Sequence, residues 1–199
     1  MRLLLVRHAQ SEWNAARRLQ GQADIGLSEL GMAQAEALRA TIDAVAPCRS
    51  VASDLKRVRE TAERINATFV RYTTGLREIN AGDWTGRVID DIHAEDGDAF
   101  QNWRAGTYAP PGSESWPAFV DRVAGVIEEE RRVPCDNLLI VCHGGVIRAL
   151  LQRYVGLDPT HIMPVALASL SALRIGVGEP PRLELFNYRP KYHHLRWPS

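Results

Sequence analysis

The 199-residue chain predicts an α/β fold with a mostly parallel central sheet and helices on both faces. Three observations predict it. Short apolar runs alternate with segments of helical period, the pattern of repeated strand–helix–strand units. Two runs, "RLLLV" at 2–6 and the run in "NLLIVCHGG", are continuously apolar rather than alternating, as strands covered on both faces are. Both lead directly into a histidine, His8 and His143, at the position where open α/β sheets bind ligands, beyond the carboxyl ends of their strands.

The elements follow in order. After the strand at 2–6, Ser28 caps a helix to about Val45, with Leu30, Ala33, Ala37, Leu38 and Ala44 read as its inward face. "SVAS" (50–53) is a short strand, Asp54 to about Asn66 a charged helix, and "TFVRY" (68–72) a further strand. The stretch 80–113 is irregular, rich in Gly, Asp and Pro, with a weak helix near 86–95. Ser115 caps a strong helix to about Arg131, with Phe119, Val120, Val123, Val126 and Ile127 facing inward. The strand before His143 leads to a helix from about Val146 to Tyr154, stopped by Gly156. "ASLSALRI" and "RLELFNY" read as late strands, antiparallel or at an edge. With no repeat, low-complexity stretch or linker, 1–199 reads as one domain large enough to bury a sizeable core.

Composition narrows the function. Basic and acidic residues balance at 24 each, which argues against a nucleic-acid-binding domain. Of the basic residues only Lys56 and Lys191 are lysines, and arginine's planar fork suits anion binding. Cys48, Cys135 and Cys142 form no C-x-x-C pair, and an odd count points to a reducing, cytoplasmic setting. The N-terminal apolar run is too short for a signal segment, and no stretch reaches membrane-spanning length.

Four segments place polar residues at or beyond predicted strand ends. "LLLVRHAQSEWN" supplies Arg7, His8 and Asn14, and "SDLKRVRETA" supplies Ser53, Arg57 and Thr61. "LREINAGDWTG" supplies Glu78, and "VCHGGVIRAL" supplies His143 and Gly144. Singly, each has a structural explanation: Arg57 beside Lys56 and Arg59 reads as a solvated helix face, and Glu78 beside Arg77 as a surface ion pair. Together, two arginines, two histidines and an asparagine at one rim make a dianion pocket, each charge-assisted hydrogen bond being worth roughly 1.5–3 kcal/mol. A histidine there can attack phosphorus, and a carboxylic acid can protonate the departing oxygen.

These four segments, in this order from residue 3 to about 150, resemble the signatures of the histidine phosphatase superfamily, phosphoglycerate mutase-like branch. The resemblance implies that His8 becomes a phosphohistidine. It implies that Arg7, Arg57, His143, Asn14 and the Gly144 amide hold the phosphoryl group. Glu78 stands where the family keeps its general acid, and Gln20 and Gly21 match a loop bordering the substrate. One departure is visible: the family's Arg-His-Gly is here Arg7-His8-Ala9, so either the backbone needs no glycine angles or the loop shifts.

A phosphatase acting on small phosphomonoesters, without metal or cofactor, is the expected member. The cofactor-dependent mutases carry extra basic residues after the Glu motif. Here "RVIDDIHAEDGDAF" offers Asp90, Asp91, Glu95, Asp96 and Asp98 against Arg87, which would repel a second phosphate or simply form a solvated helix face; neither favours a mutase. A non-catalytic phospho-ligand binder would lack the nucleophile or the acid, and neither is missing. His8, His143, Cys142 and His193-His194 match no common zinc spacing. The resemblance leaves open broad-specificity, α-ribazole and sugar-phosphoglycerate phosphatases. Trp84, Trp103, Tyr108 and Trp116 are expected to roof the pocket, chiefly by packing, and "NYRPKYHHLRW" to close the site or form a homodimer contact.

Overall fold

The computed structural model describes residues 1–176 and 178–190. Its single sheet contains β1 (Arg2–Arg7), β2 (Arg49–Ser53), β3 (Val70–Thr73), β4 (Asn137–Cys142), β5 (Leu170–Arg174) and β6 (Arg182–Tyr188). The strand order is β3-β2-β4-β1-β5-β6. β1, β2, β3 and β4 pair in parallel, while β5 lies antiparallel to β1, and β6 antiparallel to β5 at the edge. The helices are α1 (Glu12–Ala15), α2 (Glu29–Val45), α3 (Lys56–Arg64), α4 (Ile89–Ala105), α5 (Trp116–Glu130) and α6 (Gly144–Val155).

Strand alternation divides the core into two layers. Leu3, Leu5, Val51, Leu138 and Ile140 pack with Phe119, Val123 and Ile127 of α5 and with Val146 and Leu150 of α6. Leu4, Val6, Ala52, Leu139 and Val141 point the other way, onto Ala35, Leu38 and Ile42 of α2 and Val58 and Ala62 of α3. Burial on both faces is why β1 and β4 read as unbroken apolar runs. A third cluster, Ala81, Trp84, Ile92, Ala99 and Phe100, supports the segment between β3 and α5.

Three expectations need correction. In α2 the buried stripe is Gly31, Ala35, Leu38 and Ile42. Leu30, Ala33, Ala37 and Ala44 are exposed, so of the predicted face only Leu38 lies inward. Close approach sets this phase, since a Cβ at Gly31 would meet the Gln10 carbonyl oxygen at 1.9 Å. The helix placed near 86–95 instead begins at Ile89 and continues to Ala105, through a kink at Asp96 (φ −154°, ψ 84°). Asp96 restarts it by accepting the Ala99 N–H at 2.8 Å, and Ala99 and Phe100 then bury against Trp84.

The third correction concerns the thiols. Cys48 and Cys135 form a disulfide, with Cα atoms 6.2 Å apart across a sequence separation of 87, leaving Cys142 buried and free. The argument from unpaired thiols to a reducing compartment therefore lapses. No helix among the described residues is long and apolar enough to cross a membrane.

The disulfide joins the chain just before β2 to the chain just before β4, at the opposite strand ends from His8 and His143. Cys135→Ser is expected to lower stability by about 2–4 kcal/mol, as loss of a long-loop cross-link does. Turnover by the folded variant should stay within about twofold. Denaturant unfolding beside steady-state kinetics checks both, and a comparable loss of turnover would contradict the separation of disulfide and site.

Candidate active site

Strand pairing assembles the site. The parallel register of β1 with β4 runs to Arg7 opposite Cys142, and His8 N–H then donates to the Cys142 carbonyl at 2.9 Å. The next residues, His8 and His143, are thereby brought side by side, ring centroids 5.2 Å apart. β2 lies on the other side of β4, so Ser53 at its end reaches His143, with Oγ 2.9 Å from Nε2. Thr61 of α3 accepts the Ala9 N–H at 3.1 Å and donates to the Arg57 carbonyl at 2.7 Å, tying the His8 loop to the helix that carries Arg57. Ala9 is fully buried and is not among the positive-φ residues, so the site needs no glycine there.

Hydrogen bonds fix the rings. His8 Nδ1 lies 2.7 Å from the Ala9 carbonyl oxygen, which only accepts, so Nδ1 carries the proton and Nε2 keeps a lone pair. Burial, and after it the charges of Arg57 and Arg7, hold the His8 imidazole well below the usual histidine range. Burial and then Arg57 do the same for His143. Both rings are therefore neutral at pH 7.

Arg57 is 1% exposed. Its two terminal nitrogens donate to the Ala23 carbonyl at 2.7 Å and the Gly21 carbonyl at 2.9 Å. Burial brings its pKa down to about 10, so it stays cationic. Gly21 takes φ +49°, an angle that favours glycine. Arg7 donates to the Val165 carbonyl, and burial lowers its pKa as well. Three buried nitrogens, Arg7 Nε, Arg57 Nε and His143 Nδ1, have no hydrogen-bond partner among the described residues.

Two adjoining cavities meet here. One of about 140 Å³ is lined by His8, Arg7, Arg57, Asn14, Gln20 and Gly21, among others. A second of about 180 Å³ holds Gly144, Gly145, Arg104, Arg148, Trp116 and Val165. Arg7, Glu78 and Trp103 border both. Of the predicted site residues all but His143 line one cavity or the other, with Gly144 beside Arg7 in the second rather than next to His8; His143 is fully buried behind them, against His8. Asn14 Oδ1 accepts the Ser11 N–H at 3.1 Å in a capping box, and Gln20 Oε1 lies 2.8 Å from Ser11 Oγ.

Glu78 is not the partner of Arg77, which instead forks onto Asp54 at 2.8 and 2.6 Å. Its two carboxyl oxygens accept the Ile79 N–H at 2.9 Å and the Gly145 N–H at 3.0 Å. Gly145 was missed in the sequence. A Cβ there would stand 2.1 Å from Glu78 Oε1, so glycine makes room for the acid.

Arg148 and Arg104 were also missed, although Arg148 lies one helical turn beyond Gly144 in the same motif. Arg148 donates to the Arg104 carbonyl and lies 5.3 Å from the Trp116 ring; burial takes its pKa to about 10. The acidic run does not face these cavities: Asp90 pairs with Arg17 at 2.6 Å, Glu95 with Arg87, Asp96 caps Ala99, and Asp91 and Asp98 are exposed. Of the two readings of this run, the solvated helix face is the one the structure shows. Of the aromatics, Trp84 and Tyr108 pack together, rings 5.8 Å apart, while Trp103 and Trp116 line the second cavity. The pair His193-His194 and the chain from 191 onward lie outside the described residues.

Proton NMR across pH should find His8 and His143 titrating below 6.5. Arg57→Met should raise the His8 midpoint, since it removes a charge that disfavours imidazolium. Folded values below the unfolded value of about 6.5 mean the unfolded chain binds more protons on acidification. The stability these histidines contribute is full above about 6.5 and is lost as pH falls through their folded values. A midpoint at or above 6.5 for His8 would contradict this electrostatic account.

The family model described as histidine phosphatase superfamily (branch 1) matches residues 3–189. A glucosyl-3-phosphoglycerate phosphatase of Mycobacterium tuberculosis is 37% identical over 162 residues, 75% of this chain and 73% of its own. A probable phosphoglycerate mutase GpmB of Photorhabdus laumondii is 33% identical, over 92% of this chain and 88% of its own. The solved structure of a mycobacterial glucosyl-3-phosphoglycerate phosphatase complexed with VO3 superimposes with a TM-score of 0.86 at 33% identity, covering 94% of this chain and 98% of that one. With its fold and its sequence matched along nearly their whole length, the chain belongs to the histidine phosphatase superfamily, branch 1.

Proposed function

We propose that this chain hydrolyses small-molecule phosphate monoesters through a phosphohistidine on His8. The observation that carries the reading is the neutral His8 ring, its Nδ1 tied to the Ala9 carbonyl, beside buried nitrogens of Arg7, Arg57 and His143 that have no partner among the described residues. The guanidinium nitrogens are donors, and His143 Nδ1 is one in the tautomer whose Nε2 accepts from the Ser53 hydroxyl; such donors suit a group with many acceptor oxygens and two negative charges. His8 Nε2 attacks phosphorus, and the bond from phosphorus to the ester oxygen breaks as Glu78 gives that oxygen a proton. Water then attacks the phosphohistidine, Glu78 takes the water's proton, and phosphate leaves with His8 neutral again. Asn14 and the N-terminal end of α6 at Gly144 add polar contacts to the same anion. The arginines supply the positive charge that a metal ion provides elsewhere, so the reaction needs no metal.

The leaving group carries an anion of its own. Arg104 and Arg148 line the cavity past Glu78, and among the described residues Glu78 is the one carboxylate in the lining. The relatives named glucosyl-3-phosphoglycerate phosphatase fit such a substrate. A mutase reading is favoured by the relatives named GpmB, and release of free phosphate separates the two.

With labelled substrate and a quench that avoids acid, label should appear on the N-terminal peptide as an acid-labile, base-stable adduct. Vanadate should inhibit strongly, and dialysis against a chelator should leave activity unchanged. Wild-type turnover in His8→Ala would sink the reading. With 3-phosphoglycerate, free phosphate should exceed 2-phosphoglycerate at every time, with or without added 2,3-bisphosphoglycerate. Rapid bisphosphate-stimulated interconversion with little phosphate release would make the chain a mutase. The kcat/KM for 3-phosphoglycerate should exceed that for glycerol 3-phosphate, which lacks the carboxylate, and the ratio should approach one in Arg104→Gln.

A further inference from the structure

Glu78 stands on a loop with no regular secondary structure, after a 3₁₀ turn at Thr74–Leu76, yet its reaction requires a fixed place. The loop is gathered from behind by one side chain of α5. Arg122 donates through Nη1 to the carbonyls of Gly75 at 3.0 Å, Arg77 at 3.1 Å and Thr74 at 3.4 Å, and through Nη2 to the carbonyl of Glu78 itself at 3.4 Å. The guanidinium is itself held. Its Nε and Nη2 fork onto Glu114 at 2.8 and 2.7 Å, and its carbon lies 5.1 Å from the Phe119 ring centroid. Glu114 also accepts the Asn80 N–H at 3.4 Å and, through its own N–H, donates to the Asn80 carbonyl at 3.0 Å. The turn before Glu78 and the residue two beyond it are thus bound to one ion pair, whose side chains are 25% and 17% exposed.

We propose that Arg122, which is absent from the lining of both cavities and pairs with Glu114, is the positioning residue for the general acid. Gly145 is the floor against which the acid rests. Arg122 sets the backbone from which Glu78 departs, while the Gly145 N–H and the space left by its missing Cβ set where the carboxyl group ends. The guanidinium suits this task because its planar fork engages a carboxylate on one edge and several carbonyls on the other. A lysine has the charge without the fork. This inference rests on the reading of Glu78 as general acid.

The test compares kcat/KM, which reports phosphoryl transfer to His8 and not the later hydrolysis that both esters share, for an alkyl phosphate, glycerol 3-phosphate, and an activated aryl phosphate, p-nitrophenyl phosphate. An alkoxide needs the proton and p-nitrophenolate hardly does. Glu78→Gln is expected to slow the alkyl ester by about 10²-fold or more and the aryl ester far less. Arg122→Gln should show the same selectivity at smaller amplitude, about tenfold on the alkyl ester and within about threefold on the aryl ester. Arg122→Lys should recover only part of the loss, and Gly145→Ala, which leaves the ion pair intact, should show the same leaving-group preference. In the Glu78→Gln background, Arg122→Gln should add almost nothing to the selectivity, because the two substitutions disable one function.

Equal losses on both esters in Arg122→Gln and Gly145→Ala, or additive effects in the double variant, would overturn the proposal and leave Glu78 as the acid. Absence of selectivity in Glu78→Gln itself would remove the acid assignment, and the positioning role with it. If Arg122→Gln fails to fold, Arg122→Lys and Gly145→Ala carry the same comparison.

Discussion

Two strands that lie far apart in sequence pair in parallel, and the catalytic geometry descends from that pairing. With Arg7 opposite Cys142, the residue after each strand is carried to the same height, and both residues are histidine. A register slip of one residue would turn the side chains of β1 to the other face. Leu3 and Leu5 would then exchange layers with Leu4 and Val6, which bury against different helices. The core therefore holds the register, and the register holds His8 against His143. β2 adds to this by lying next to β4, which brings in Ser53 and, through α3, Arg57 and Thr61.

The charges that gather at this point are unfavourable without a ligand. Arg7, Arg57, Arg104 and Arg148 face the same pair of cavities as Glu78, and burial lowers the pKa of Arg7, Arg57 and Arg148. Backbone carbonyls rather than carboxylates hold three of these arginines: Val165 for Arg7, Gly21 and Ala23 for Arg57, Arg104 for Arg148. A carbonyl orients a guanidinium without neutralising it, so net positive charge survives in a low-dielectric site. Arranging it beforehand is what allows strong stabilisation of an anionic transition state with little reorganisation. Burial first, and these charges after it, keep His8 unprotonated, as its proposed role of nucleophile requires.

What was legible in the sequence was local. Apolar runs located the strands, Ser28 and Ser115 located helix starts, and the four strand-end motifs located Arg7, His8, Asn14, Arg57 and Glu78 at the cavity beside His8. What was not legible depended on approach between distant segments. The inward face of α2 is set by Gly31 against Gln10, which hydrophobicity alone does not reveal when alanines surround the helix. Arg104 lies at the end of a helix that the Asp96 kink concealed, and its nearness to Arg148 arises only when the Arg148 side chain of α6 reaches the end of α4. The Cys48–Cys135 pair, 87 residues apart in a chain with an odd cysteine count, gave no spacing to read. Gly145 lay in plain view within a motif, but its importance follows from where Glu78 arrives.

Arginine in place of lysine at these positions has a physical reason apart from the composition of the chain. Burial takes Arg57 down to about 10, and at neutral pH it remains a full cation. A lysine begins roughly two units lower, and a comparable penalty would bring it close to neutrality, where it would exchange protons with the groups around it. It would also lose the geometry, because three donors on one nitrogen cannot hold Gly21 and Ala23 on one side and leave Nε available on the other. Burial strong enough to keep His8 neutral therefore leaves a guanidinium surround fully positive where an ammonium would begin to lose its charge. The proposed nucleophile and the proposed anion site can then share one buried environment, each with the charge state its role requires.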